Sequence, residues 1–265
     1  MPGGWRLGGT ATFAAVQASR LGLRAGIVTS AAEGDPPKRH LRGIDIACRP
    51  SAQTTTFENA YHDGRRQQHV PSQAGALTID DVPDAWREAP VVLLGPVCGE
   101  LPPALGRAFP HSLVGVSAQG WLRRPDRERR VRRRAWDGSP FWPGSRVLFV
   151  SDEDLGARRD QLARWSGKVP LVAVTRDRRG ARVHERRRWR QIEAFPAREV
   201  DPTGAGDVFA AAFLIRYHES GDTGEAARFA AAAAACSVEG EGTTKIGTRA
   251  RIERRMRVHP EIALR

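Results

Sequence analysis

Lysine is nearly absent from this chain of 265 residues: Lys38, Lys168 and Lys245 are three of its 42 basic residues. With 30 acidic residues the formal net charge is +12, a balance that invites polyanions. So lopsided an arginine-to-lysine ratio, however, matches the codon bias of a GC-rich genome better than selection for a binding face. Nucleic acid is therefore not expected as a partner, and the densest run, "RRPDRERRVRRR" at 123–134, reads as a solvated charged segment. Cysteine is equally scarce. Cys48, Cys98 and Cys236 are odd in number and never in C-x-x-C spacing, which excludes a disulfide framework or a zinc ribbon and suits a cytoplasmic protein. No run of 18 apolar residues appears, so no membrane-spanning helix is expected. The opening "MPGGWRLGGTATF" lacks the basic-then-apolar pattern of a secretory leader.

What is present is a large apolar fraction, 40%, with seven tryptophans, enough for one sizeable core. Residues 10–21 suit a helix ending at Gly22, and "LRAGIVTS" after it suits a strand. "GIDIACRP", "TTTFENAY" and "RRQQHV" are short β segments, the last two flanking Asp63-Gly64, a hairpin signal. "APVVLLGP", "SLVGVSA", "SRVLFVS" and "VPLVAVT" are compact apolar runs of the kind found in parallel strands buried on both faces. Helix-compatible segments lie near 79–88, 99–108 and 153–166. This alternation predicts a doubly wound, mostly parallel α/β sheet with helices on both faces. One domain over 1–265 is expected, with a small β flap formed by about 43–70. Trp86, Trp136 and Trp165 are expected to pack rather than to stack on a base.

In open α/β sheets ligands gather beyond the carboxyl ends of the strands. That rule places Gly95-Pro96, Ser117 to Gln119, Ser151 to Asp154, Thr175 and Asp201 to Asp207 along one crevice. The stretch "DPTGAGDVFAAAFLI" from Asp201 sets glycines and aspartates before a helix apolar on most faces, which must be buried. Its first N–H groups have no intrahelical partners. Close backbone approach at Gly204, Ala205 and Gly206, with the helix dipole, suits a phosphate there. Asp207 would then stand beside the transferred group as a general base. The plain alternative is that Asp207 only caps the helix.

The order and spacing of these motifs resemble the ribokinase/PfkB family of carbohydrate kinases, from about Gly8 to the C-terminal region. "DPTGAGD" at 201–207 is similar to that family's signature. The resemblance implies ATP-dependent phosphorylation of a hydroxyl on a small sugar, polyol or nucleoside. It implies Asp207 as catalytic base and Gly204, Ala205 and Gly206 as anion hole. Gly8, Gly9, Phe57, Asn59 and Gln119 fall on the substrate side. Thr175, Asp177, Gly180 and Gly242 fall on the nucleotide side, the last in "EGEGTTKIG" at 239–247, which resembles the loop closing over adenine. Asp154 and Glu153 match a region that organises magnesium through water, and Asp201 and Thr203 a monovalent-cation site suited to potassium. A homodimer through the flap is implied by the same analogy.

Several positions depart from the family pattern. Ser151 and Asp154 stand where N-x-x-E is common, Asp177 replaces a glycine, Ala231 replaces an asparagine near the adenine, and Phe13 replaces an asparagine that usually contacts a sugar hydroxyl. The family's first core strand, with its sugar-binding aspartate, has no counterpart in the seven residues before Gly8, so the natural protein is expected to start upstream. The altered motifs raise a second expectation, a catalytically weak relative acting as a sensor; a basic nucleic-acid-binding protein on this scaffold is a third. "VSAQGWLRR" at 116–124 and "TTTFEN" at 54–59 are most similar to the inositol- and nucleoside-directed branches.

Overall fold

The computed structural model describes residues 5–33, 41–62 and 65–265. The chain opens with α1 (Gly9–Arg20), ended by Gly22 in the left-handed region at φ +86°. The strand β1 (Gly26–Ala31) then pairs in parallel with β2 (Asp45–Pro50). A hairpin of β3 (Thr56–His62) and β4 (Arg65–Ser72) follows. The turn expected at Asp63-Gly64 lies outside the described residues. Residues 45–50, expected within the flap, pair with β1 in a two-stranded sheet separate from this hairpin.

The main sheet has six strands. β5 (Val91–Leu94), β6 (Leu113–Ser117), β9 (Val147–Ser151) and β10 (Leu171–Thr175) run parallel, and β11 (Ala181–Glu185) and β12 (Arg188–Ile192) are added antiparallel in the order β12-β11-β10-β9-β6-β5. Side chains alternate between faces as a strand requires. Val147, Phe149, Leu171 and Ala173 enter one core with α5 (Ala205–Ser220) and α6 (Thr223–Ser237). Leu148, Val150, Val172 and Val174 enter the other, with Trp121, Trp136, Phe141 and Trp165. The expected doubly wound α/β architecture is present. Of the three tryptophans expected to pack, Trp136 and Trp165 are core residues in mutual edge contact, and Trp86 is partly buried against the same core. α5 is buried from Val208 to Ile215 because α1, α6 and the sheet enclose it.

Three expected helices are shorter than their pattern suggests. Pro83 splits 79–88 into two single 3₁₀ turns, and Pro102-Pro103 leave one 3₁₀ turn at 103–107. The segment 153–166 becomes α3 (Asp152–Leu155) and α4 (Arg159–Ser166), separated at Gly156 with φ +52°. The arginine-rich run is not a loop. After the one-turn α2 (Gln119–Leu122) it forms an antiparallel pair, β7 (Arg123–Pro125) and β8 (Val131–Arg133). This second hairpin is joined to the flap by the Val70 N–H, which donates to the Arg129 carbonyl at 2.9 Å. The chain ends in α7 (Arg249–Val258). Among the described residues no helix is long and apolar enough to cross a membrane.

Candidate active site

Leu94, Ser117, Ser151 and Thr175 are the carboxyl ends of the four parallel strands and lie at one edge of the sheet, Ser151 opposite Thr175, Leu94 opposite Val116 and Ser117 opposite Phe149, and α5 begins at the same end. Its N-cap, Gly204, is left-handed at φ +77°. A Cβ there would also lie 2.3 Å from the Phe13 ring, so conformation and space both demand glycine. Phe13, where a polar contact to a sugar would be usual, is instead a core residue under this turn. Of the three expected anion-hole groups, the Ala205 N–H is bonded to the Pro202 carbonyl at 3.2 Å. Gly206 is exposed, and a Cβ on it would meet nothing within 4 Å. The first turn of α5 therefore presents its backbone to open space at Gly206.

Asp207 follows on the same turn. The residue is half-buried, but its carboxyl is enclosed by protein, and that burial pushes it up to about 6. A hydrogen bond with the side chain of Thr10 and the charge of Arg123 oppose the shift, while the charge of Asp154 adds to it. Thr10, on the first turn of α1 beside Gly8 and Gly9, is 2% exposed. Two helix N-termini thus meet at this carboxyl.

Asp154 sits at the head of α3, where Ser151 caps the helix by accepting from the Asp154 N–H at 3.0 Å. The Asp154 carboxylate is taken up on both oxygens. Arg123 Nε donates to Oδ1 at 2.6 Å and Ser151 Oγ donates to Oδ2 at 2.8 Å. Arg123 Nη1 also donates to Gln68 Oε1 on the flap at 3.0 Å, and Gln68 Nε2 donates to Asn59 Oδ1 at 3.0 Å. One polar chain therefore runs from the flap through Arg123 to Asp154, close to Asp207. Phe57 on β3 is half-buried, and Gln119 opens α2 directly after β6.

The remaining predicted residues form two further groups. Asp201 accepts from the N–H groups of Thr203 and Gly242, both at 3.0 Å, which ties the turn before α5 to the 239–247 loop. Against the desolvation that opposes it, these bonds hold its carboxyl below the usual range. Asp177 adopts the left-handed region at φ +50°, a conformation aspartate tolerates better than most residues. Partial desolvation and the neighbouring Glu153 push its carboxyl up. The loop from Thr175 to Gly180 is anchored by Arg176 and Arg179 on Asp152, and by Arg178 on Glu199. Glu153 lies within 3.5 Å of Arg133. Among the described residues no group of three or more His, Cys, Asp or Glu is placed to hold a metal ion. Thr10, Gln68 and Arg123 were not singled out from the sequence. The only hint for Arg123 was its place directly after Trp121-Leu122, as the first arginine of its run.

Residues 148–249 match the family model described as pfkB family carbohydrate kinase. The cytidine kinase of Thermococcus kodakarensis is 27% identical over 238 residues, 82% of this chain and 80% of that protein. The inositol 3-kinase of Oryza sativa subsp. japonica is 31% identical over 211 residues, 74% of this chain, which spans only 50% of the rice protein. Among solved structures, a pyrophosphate-dependent kinase in the ribokinase family superposes with TM-score 0.79 at 23% identity, covering 93% of this chain and 91% of that one. The Arabidopsis thaliana ribokinase complexed with ribose and ATP superposes with TM-score 0.71 at 20% identity, covering 94% and 87%. These structural likenesses establish the ribokinase fold. Together with the family match over residues 148–249, which contain "DPTGAGD", they support a kinase of the ribokinase/pfkB family of carbohydrate kinases.

Proposed function

We propose that this kinase transfers the terminal phosphoryl group of ATP to a hydroxyl of a nucleoside or a polyol, with Asp207 as general base. The observation that carries this reading is the enclosed Asp207 carboxyl at the first turn of α5, beside the open backbone of Gly206. The acceptor oxygen forms the new bond to phosphorus, the bridging oxygen leaves with ADP, and the acceptor proton passes to Asp207. A carboxyl titrating near 6 is ionised at neutral pH yet basic enough to share that proton, and such help is worth about 10²–10⁴ in rate. The backbone of the α5 turn and its helix dipole receive the phosphoryl charge. Gly8, Gly9, Asn59 and Gln119 border the acceptor side. Thr175, Asp177, Gly180 and Gly242 border the donor side, where Asp201 holds the 239–247 loop in place.

Of the residues expected by resemblance to serve magnesium and potassium, the three carboxylates already have protein partners. Both oxygens of Asp154 are engaged by Arg123 and Ser151, Glu153 is paired with Arg133, and Asp201 is engaged by two backbone donors. The residues at 151–154 thus do not fit a directly ligated divalent ion.

The donor is tested together with the acceptor. Purified protein is given ATP or inorganic pyrophosphate with cytidine and other nucleosides, myo-inositol, or ribose, and acceptor-dependent phosphorylation is followed by mass spectrometry. Product with ATP and a nucleoside or polyol is expected. Transfer from pyrophosphate alone would replace ATP as donor, and no transfer from either donor would overturn the reading.

A further inference from the structure

We propose that Arg123 is the cation of the phosphoryl-transfer site, held there by Asp154 and Gln68 so that its guanidinium meets the anionic group that docks before Asp207. The assignment rests on the kinase reading, but it comes from a feature that reading does not use. Arg123 is the first residue of an otherwise exposed, arginine-rich hairpin, yet its side chain is only 9% exposed and that of its partner Asp154 only 2%. Burying an ion pair is costly in desolvation, and such a pair is weak evidence for a stabilising role. The rest of the hairpin shows how its surface arginines are accommodated: Arg130 and Arg132 fold outward onto Asp126.

The placement is specific. Nε is directed at Asp154 and Nη1 at Gln68, which fixes the plane of the guanidinium between the end of β9 and the flap. A planar fork held on two sides presents its remaining donors in one direction, as phosphoryl recognition requires. The charge of Arg123 is felt at the Asp207 carboxyl, and its partner Asp154 acts on the same carboxyl, so the held guanidinium lies close to the base. Phosphoryl transfer depends almost entirely on positioning and on neutralising charge at the transferred group, and a preorganised donor in an enclosed site is worth about 10²–10³ in turnover. Asp154, in this view, is a positioning residue that orients Arg123 rather than a ligand for magnesium.

The test uses Arg123→Gln, Asp154→Asn and the double variant Arg123→Gln/Asp154→Asn, with inorganic pyrophosphate as the binding probe in calorimetry. Either single variant can fail to fold, because each strands one buried charge or one buried acceptor. The double variant is neutral and of similar shape. It is expected to melt cooperatively near the wild-type temperature while binding pyrophosphate at least about tenfold more weakly and turning over about 10²-fold more slowly. Where Asp154→Asn folds, its half-saturating magnesium concentration should equal that of wild type despite reduced turnover. A double variant that regains both wild-type melting and wild-type pyrophosphate binding would show the pair to be structural only. A raised magnesium requirement in Asp154→Asn would return Asp154 to the metal, and absence of pyrophosphate binding by wild type would remove the anion site altogether. If wild type binds pyrophosphate but phosphorylates no acceptor, the kinase reading falls, while the binding comparison still decides the role of Arg123.

Discussion

At the scale of single residues, Asp207 carries opposed demands. Its carboxyl titrates near 6 in the fold against an ordinary 3.8, so the native state binds that proton more tightly than the unfolded chain does. Native stability therefore falls as pH rises from about 4 to about 6, and the cost of the enclosed charge is complete above that window. Two units correspond to about 3 kcal/mol at most; partial solvent contact reduces this. Asp207→Asn should accordingly unfold at higher urea than wild type at pH 8, by about 1–3 kcal/mol, with the difference vanishing near pH 4. The same variant should lose about 10²-fold or more in turnover while still binding ATP. In wild type, kcat/KM should decline below about pH 6. Near-normal turnover in Asp207→Asn would remove the residue from the chemistry.

Among the elements, the two small hairpins define what lies over the site. β3–β4 and β7–β8 are linked through the Val70–Arg129 bond and the bridge between His69 and Arg130, so they form one cover rather than a flap and a loose loop. Asp126 organises the second hairpin by accepting from the Arg130 N–H at 2.9 Å and from Arg132 Nε at 2.9 Å. Among the described ion pairs, Arg130 and Arg132 reach Asp126 and Glu128, Arg133 reaches Glu153, and none of them joins Asp207. Changing Arg129, Arg130, Arg132 and Arg133 to Ser should leave turnover within about twofold. It should also weaken retention on heparin in a salt-sensitive manner, because fewer phosphate-like charges are neutralised. A collapse of turnover in that variant would place the whole hairpin, not Arg123 alone, in the chemistry.

For the molecule as a whole, the six-stranded sheet is the rigid part. β9 and β10 are buried on both faces along nearly their whole length, whereas β2 is mostly exposed and pairs only with β1 among the described strands. Local opening follows burial and contact density. Amides of 147–151 and 171–175 should therefore exchange with solvent only through global unfolding, and those of 45–50 at least about 100-fold faster. Equal protection across both sets would mean that β1–β2 is fastened to the main sheet more firmly than its burial indicates. The +12 charge is also organised at this scale. Many arginines, from Arg24 to Arg255, are paired with carboxylates across elements.

Much of this was legible in the chain itself. Four apolar runs bounded by turn residues had to be strands covered on both faces, because nothing else hides so many Val and Leu in five residues. "DPTGAGD" before an all-apolar helix had to place a backbone opening and a carboxylate at a buried helix start. Local chemistry also marked Gly22 as a helix end and Asp177 as a residue able to adopt positive φ. Tertiary structure decided the rest. The β11–β12 turn uses Arg186 and Arg187 at φ +48° and +66°, residues that signal no turn, so the antiparallel edge is imposed by pairing along β10. Phe13 was read as a lost sugar contact, but its position is set by packing against Gly204 from far along the chain. The pairing of Arg123 with Asp154, 31 residues away, and with Gln68, 55 residues away, has no local signature at all. A charge run predicts solvent, and only the closing of two hairpins over the end of the sheet could turn its first arginine inward.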